Sequence, residues 1–414
     1  MARTDAIVLG AGIVGTSIAL HLRKRGLAVA LIDVRGPGEG TSYGNAGVIE
    51  GNTLFPHTIP KGLGLLRVVF KRAPEANYHF AHLPWVAGWL WAYRRHTQLA
   101  GLMEFAKLMR PLFAVALSEH EVLMAESGAD RYLRKTGWIK IYRREEAFKA
   151  TERERELAAQ LKLPFRVVDA NGARALEPAL GQGIHCGIHW QAAASVSDPL
   201  AVTQAYAARF VALGGAQLTG NARTLKRSGN GWRVQAGQDE VEAPIAVIAL
   251  GPWAPDVLDP MGIRLPLAVK RGYHWHFQPR GNAGLSRPVV DVENGYCVAP
   301  MDKGLRITTG AEFARRDAPA TPVQFNRLLP SARQLFPLGE PLELSPWIGS
   351  RPCFADSRPV IGPAPKHPGL WLAYGHAHWG LTLGPATGRL IAEMITGAQP
   401  FCDPKPYSAA RFAA

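Results

Sequence analysis

The run Gly10-Ala-Gly12-Ile-Val-Gly15 limits what this chain can fold into more than any other stretch. It follows a short apolar strand-type run, Ala6-Ile-Val-Leu9, and opens a segment in which Val14, Ile18 and Leu22 recur at helical spacing. Arg23-Lys-Arg25 and Gly26 close that segment; the cations suit the negative end of a helix dipole and the glycine suits a left-handed cap. Ala28-Val-Ala-Leu-Ile32 then reads as a second strand with Asp33 at its tip. In a dinucleotide site each part has a task. Gly10 permits the tight turn, Gly12 lets backbone approach the pyrophosphate, and Gly15 lets helix pack on strand. The helix N-terminus, with Ile13 and Val14, faces the phosphates, and Asp33 accepts the ribose hydroxyls. The unit predicts dinucleotide binding without separating FAD from NAD.

A chain of 414 residues can hold one large core or two domains sharing an interface. Met1 to Asp5 leads straight into the first strand, leaving no room for a signal peptide, and no apolar run approaches the ~20 residues of a spanning helix. The four cysteines, Cys186, Cys297, Cys353 and Cys402, are widely spaced, which favours a reducing compartment over a disulfide framework or zinc site. The expected location is the cytoplasm or the inner face of the cell membrane. A net charge of +14 favours anionic partners, but no nucleic-acid motif accompanies it, so nucleic acid is not an expected partner.

Beyond Asp33 the chain alternates between regular and unusual stretches. Gly40-Thr-Ser-Tyr-Gly-Asn-Ala-Gly47 is a loop that passes near whatever the first loop holds. Residues 51–96 carry short apolar runs edged by Lys61, Arg67, Lys71, Arg72, Arg94 and Arg95 against one acid, Glu75, with Trp85, Trp89 and Trp91 close together. That chemistry suits an acidic membrane interface, and it equally suits a pair of helices buried against the protein. Leu102 to Met124 has helical spacing, and Ser197-Asp198-Pro199 is a helix start. Ile245 to Leu250 is a buried strand that ends in Gly251-Pro-Trp253 and restores the β/α pattern of the N-terminus. Between Arg264 and Thr309 strands alternate with Pro, Gly and Asn turns, and His274 and His276 share one strand face without a third metal ligand, so no metal is expected. The last third holds Ile348-Gly-Ser-Arg351, then strand Leu370 to Tyr374, loop Gly375 to Gly380, and a helix predicted from Pro385 to Thr396.

Together these pieces resemble the FAD-dependent D-amino acid oxidase superfamily, in its bacterial D-amino acid dehydrogenase and glycine/sarcosine oxidase branch. The resemblance is densest at Ile7–Asp33, Thr41–Val48, Ala249–Trp253 and Gly349–Gly397. It implies an α/β (α+β) fold: a Rossmann-like FAD-binding domain built from 1–50, 170–258 and 345–414, and an antiparallel-sheet substrate domain from 97–169 and 259–344. Residues 51–96 form an insertion. By the resemblance, Gly10, Gly12, Gly15 and Asp33 hold the ADP half, and Thr41, Ser42, Asn45 and Gly47 border pyrophosphate and flavin ring. Gly251 and Trp253 join the cofactor wall, and His376, Gly380, Leu381 and Thr382 surround the flavin pyrimidine. Arg351 matches the arginine that holds the substrate carboxylate. Tyr296 matches the tyrosine of a Tyr–hydrophobic–hydrophobic–Pro strand, although here the run Tyr296-Cys-Val-Ala-Pro300 is one residue longer.

The implied chemistry is oxidation of an amino acid, most simply a D-amino acid, at its Cα–N bond, with electrons passed to a quinone-type acceptor. Covalent members attach flavin through a cysteine just before the arginine; Ser350 stands there, so non-covalent FAD is expected. Oxidation of secondary amines such as sarcosine, hydroxyproline or opine-type substrates stays open, as does a flavoprotein that only relays electrons at a membrane. For Arg351 a structural ion pair is the alternative role.

Overall fold

The computed structural model describes residues 2–59 and 63–412; Lys61 of the basic insertion lies outside them. Two sheets organise the chain. The first has six strands in the order Ala216–Thr219, Val29–Asp33, Ala6–Leu9, Ile245–Ile248, Leu370–Tyr374 and Val360–Pro363. All neighbours are parallel except the last pair. Its central strands are apolar on both faces, as a sheet covered on both sides requires. Helix Ile13–Lys24 and helix Gly380–Ile395 pack together on one face, with Gly384 and Gly388 letting backbone approach Ile13 and Ser17.

The second sheet has eleven strands, running from Ala76–Tyr78 at one edge to Phe165–Asp169 at the other. Its longest strand, Ala268–Pro279, pairs antiparallel with Gly304–Thr309 and, over seven residues, with Trp347–Cys353. Residues 170–258 and 345–414 therefore feed both sheets, since Cys186–Trp190 and Trp347–Cys353 pair in the larger one. This departs from the division expected from sequence, because a strand's sheet is decided by its distant partner and not by its own alternation. Helix Val323–Leu335 covers one face, burying Phe325 and Leu328 against Tyr273, Val298 and Ile307. The other face looks toward the first sheet.

Local signals held where they were strong. Asp198 caps helix Pro199–Ala212 by accepting from the N–H groups of Leu200 and Ala201, at 2.9 and 3.0 Å. The 102–124 pattern is part of a longer helix, Leu99–Ser127, burying Phe105, Met109 and Phe113. The final helix, expected from Pro385, starts at Gly380, with Pro385 inside it. A proline there leaves the carbonyl four residues earlier, that of Leu381, without its helical donor. His120 Nε2 donates to that carbonyl at 2.7 Å, while its Nδ1 meets the Tyr206 hydroxyl at 2.9 Å.

His120 is wholly buried, and burial pulls its pKa down from 6.5 to about 4, partly offset by the Leu381 bond. A neutral buried histidine gives stability that is complete above pH 6.5 and is lost as pH falls toward the folded value. The loss should be about 2 kcal/mol by pH 5. Denaturant titrations at pH 7 and pH 5 should show His120→Gln, which keeps a donor and cannot titrate, losing that much less than the wild type.

Candidate active site

A cavity of about 1730 Å³ runs between the two sheets. One end is the Gly10–Val14 turn and Asp33; the middle passes the 40–50 loop; the far end reaches Arg351 and Lys270 on the large sheet. The turn has the tight geometry the sequence demanded. Gly10 has φ +106°, and a Cβ on Gly15 would stand 1.8 Å from the Gly10 carbonyl oxygen. Asp33 accepts the Ala11 N–H at 2.8 Å and the Arg35 N–H at 3.1 Å, which fixes its carboxylate at the strand tip. Ser42 Oγ accepts the Ile13 N–H at 3.0 Å, so the loop hydroxyl lies on the helix N-terminus where phosphate oxygens bind.

The loop that follows is held from both sides. Thr41 donates to the Ser350 carbonyl at 3.1 Å, and Asn45 Nδ2 donates to the His378 carbonyl at 3.2 Å. Beneath it, Arg306 donates to the Tyr43 and Asn45 carbonyls at 2.9 and 2.6 Å and to His276 Nε2 at 3.0 Å. His276 Nδ1 in turn meets Glu343 at 2.6 Å, which makes it a neutral ring donating through Nδ1. His274 stacks on Trp347, with ring centroids 4.8 Å apart. Both histidines of that strand face are thus engaged in packing the loop.

The remaining residues expected at the cofactor take distinct positions. Gly251, with φ +54°, and Trp253 line the nucleotide end, where Arg35 lies 4.4 Å over the Trp253 ring. His376, Gly380 and Leu381 line the flavin end, and burial lowers the His376 pKa to about 3, keeping it neutral. Gly15, Gly47 and Thr382 stand behind the wall. Gly47 donates to Asn45 Oδ1 at 2.9 Å, and Thr382 donates to the Val48 carbonyl at 3.1 Å. The helix N-terminus at Gly380 aims free N–H groups and positive potential at this end, the complement of an electron-rich pyrimidine. The residues present fit FAD along the whole cavity.

At the far end Arg351 donates to the carbonyls of Gly310 and Thr309, both at 3.0 Å. Two of its five donors are thereby anchored and the others remain available. Among the described residues no carboxylate lies within ion-pair distance of Arg351, so a structural ion pair is not its role. Burial lowers its pKa from the ordinary value.

Tyr296 departs from expectation. Side chains alternate along a strand, and Cys297, Ala299 and Met301 pack toward Ala46 of the flavin loop. Tyr296 and Val298 therefore face the opposite way, into the core beneath helix Val323–Leu335. The phenol sits beside Asp291, Ser331 and Arg143; burial first, then the Asp291 carboxylate, hold its pKa well above the usual range. Tyr296 still borders the cavity, with its phenol on the Asp291 and Ser331 side.

Several cavity residues went unnoticed in the sequence. His57 and His378 pack with ring centroids 4.9 Å apart, and both are held neutral. Burial comes first, followed for His57 by Lys270, Lys140 and Arg351, lowering it to about 3; His378 is pushed well below its usual value by burial, His57 and the same cations. Tyr93 donates to the His57 carbonyl. Lys140 pairs with Glu154 at 3.2 Å, and burial raises the Glu50 carboxyl above its usual range. Lys270 was legible: the alternation that put His274 and His276 on one face puts Lys270 there too.

The 51–96 insertion is divided. Trp89 is buried and donates to the Cys353 carbonyl at 3.0 Å, so it belongs to the core. Trp85, Trp91, Leu66, Val69, Phe70 and Phe80 are exposed. No described helix is long and apolar enough to cross a membrane.

Comparison with known proteins places these features. Residues 5–394 match the DAO family, FAD dependent oxidoreductase. A D-amino acid dehydrogenase of Rhizobium johnstonii is 30% identical over 424 residues, covering 98% of this chain and 99% of the relative. A glycine oxidase of Pseudomonas putida is 30% identical over 294 residues, covering 70% of this chain and 78% of the relative. The crystal structure of glycine oxidase from Geobacillus kaustophilus superposes with a TM-score of 0.77 at 22% identity, covering 99% of each chain. With a Rossmann-type turn, a cavity suited to FAD and a cationic far end, the chain belongs to the DAO family of FAD-dependent oxidoreductases, as an amino acid dehydrogenase or oxidase.

Proposed function

We propose that the enzyme oxidises D-amino acids at the Cα–N bond and passes the electrons to a membrane quinone. One observation carries the reading: Arg351 is held by two backbone carbonyls at the end of the cavity and, among the described residues, has no acid partner. A planar fork so fixed grips a carboxylate bidentately and orients the α-carbon. The relatives named D-amino acid dehydrogenase favour the D configuration. FAD held along this cavity would supply the two-electron acceptor that the hydride from Cα requires. The chain's own residues position the substrate and exclude water, and His57 and His378, held neutral, add no charge beside it. The amine lone pair becomes the C=N bond as hydride leaves; water then converts the imino acid to a 2-oxo acid and ammonia. Arg351 and its carbonyl anchors perform the catalytic positioning, and Tyr296 serves the core. FAD is held non-covalently, since Ser350 precedes Arg351 and the Cys353 thiol is turned to the Arg351 carbonyl at 3.4 Å.

The cavity mouth supports the quinone reading. Leu65, Val69, Phe80 and Trp91 line it together with Arg67 and Arg94, and Val69, Phe80 and Trp91 are mostly exposed. An apolar rim with cations suits an acidic leaflet, each basic residue contributing about 1 kcal/mol near the surface. A single experiment tests both parts. The purified enzyme is mixed anaerobically with D- and L-amino acids and N-substituted glycines, and then re-oxidised by quinone or oxygen with and without anionic liposomes. Bleaching by D-amino acids and liposome-enhanced quinone re-oxidation are expected. Bleaching only by N-substituted substrates, or faster re-oxidation by oxygen without any liposome effect, would overturn the corresponding half.

A further inference from the structure

Lys270 is directly opposite Arg351 across the pairing of Ala268–Pro279 with Trp347–Cys353, so both side chains rise from the same sheet face into the cavity. Its ammonium lies 3.7 Å from the Tyr93 ring centroid and 5.2 Å from that of Trp89. Among the described residues it makes no ion pair, and neither does Arg351. Like charges directly opposed on neighbouring strands are destabilising. The imidazoles beside them, His57 and His378, are neutral and relieve none of that charge. The fold nevertheless spends a tyrosine and a tryptophan on holding Lys270 in place.

The cofactor does not account for the second cation. The helix N-termini that would receive its phosphates and its pyrimidine, at Ile13 and Gly380, both belong to the other sheet's layer. Cβ atoms of directly paired residues stand about 4.5–5.5 Å apart; from there the Arg351 guanidinium leans over Gly272 and the Lys270 ammonium over Tyr93, so two separate cationic heads face one cavity and suit two carboxylates on a short carbon or C–N–C chain. We infer that Lys270 is a specificity-determining residue that binds a second carboxylate, so that the preferred substrates are amino dicarboxylic acids. The inference rests on the amine-oxidation reading for its chemistry, but not for its binding site.

Two readouts on the flavin-loaded enzyme test it. Anaerobic flavin reduction is compared for D-aspartate, D-glutamate and iminodiacetate against D-alanine and D-leucine. Calorimetry compares unreactive malonate with acetate. The wild type should favour at least one dicarboxylate by about tenfold in kcat/KM, and malonate should bind more tightly than acetate. Lys270→Met, which keeps the apolar stem on Tyr93, should lower the dicarboxylate-to-monocarboxylate ratio about thirtyfold, mostly through KM. Lys270→Arg should recover most of the ratio. If Lys270→Met fails to retain flavin, the wild-type ratio and malonate binding decide. A wild type that prefers D-alanine or D-leucine to every dicarboxylate, or a ratio unmoved in Lys270→Met, overturns the inference and leaves amino acid oxidation standing. Lys270-dependent malonate binding with no flavin reduction by any amine does the reverse, supporting the dicarboxylate site and sinking the oxidation reading.

Discussion

Replacing Arg351 with alanine should lower kcat/KM by about a hundredfold or more while bound flavin stays in place. The guanidinium is desolvated, has no acid partner among the described residues, and is fixed by the Gly310 and Thr309 carbonyls. Removing one partner of a buried charge pair costs on the order of 3 kcal/mol, which is the hundredfold stated. Arg351→Lys should recover only part of the loss. A lysine keeps the charge but cannot hold two carbonyls and a carboxylate at once with a fixed fork. Steady-state kinetics together with the flavin-to-protein absorbance ratio check this. Near-normal turnover in Arg351→Ala would move the carboxylate site elsewhere in the cavity.

Gly15→Ala should have the largest effect on the folded cofactor site. The added methyl carbon would meet the Gly10 carbonyl oxygen at 1.8 Å and the Ala249 side chain at 3.1 Å, and none of these is a flexible chain end. Relief requires the helix from Ile13 to move off the strand, which opens the phosphate turn. A destabilisation of about 3 kcal/mol or more is expected, with protein purified free of flavin. Gly88→Ala is the control: it sits inside helix Leu83–His96 with open space around its Cβ direction. There alanine should be neutral or stabilise by up to about 1 kcal/mol. Thermal midpoints and flavin content of the two variants separate a steric effect at the turn from a general cost of replacing glycine.

What could be read from the sequence was what neighbouring residues settle among themselves. The unit from Ala6 to Asp33 was legible because its strand, turn, helix and second strand are contiguous, and Asp198 announced its helix for the same reason. Pro385 misled because its cost is met by His120, on a helix more than 250 residues away in the chain. Tyr296 misled because matching residue types does not show which face of a strand a side chain takes. The tryptophans of the insertion could not be divided in advance. Trp89 is core only because the Cys353 carbonyl lies above it, while Trp85 and Trp91 on the same helix face outward. Lys270 shows the opposite lesson: alternation puts it on the face of His274 and His276, but its place opposite Arg351 needed the partner strand.

The order of strands in the smaller sheet governs how the protein can be made. Ala6–Leu9 pairs with Val29–Asp33 almost as soon as both leave the ribosome, but its other edge belongs to Ile245–Ile248, whose own partner is Leu370–Tyr374. At about 5–20 residues per second, that apolar edge waits on the order of ten seconds or longer for its neighbour. Bare strand edges of this kind recruit other chains. An edge left open that long predicts a need for holding chaperones through most of the synthesis, and faster expression is expected to raise the aggregated fraction.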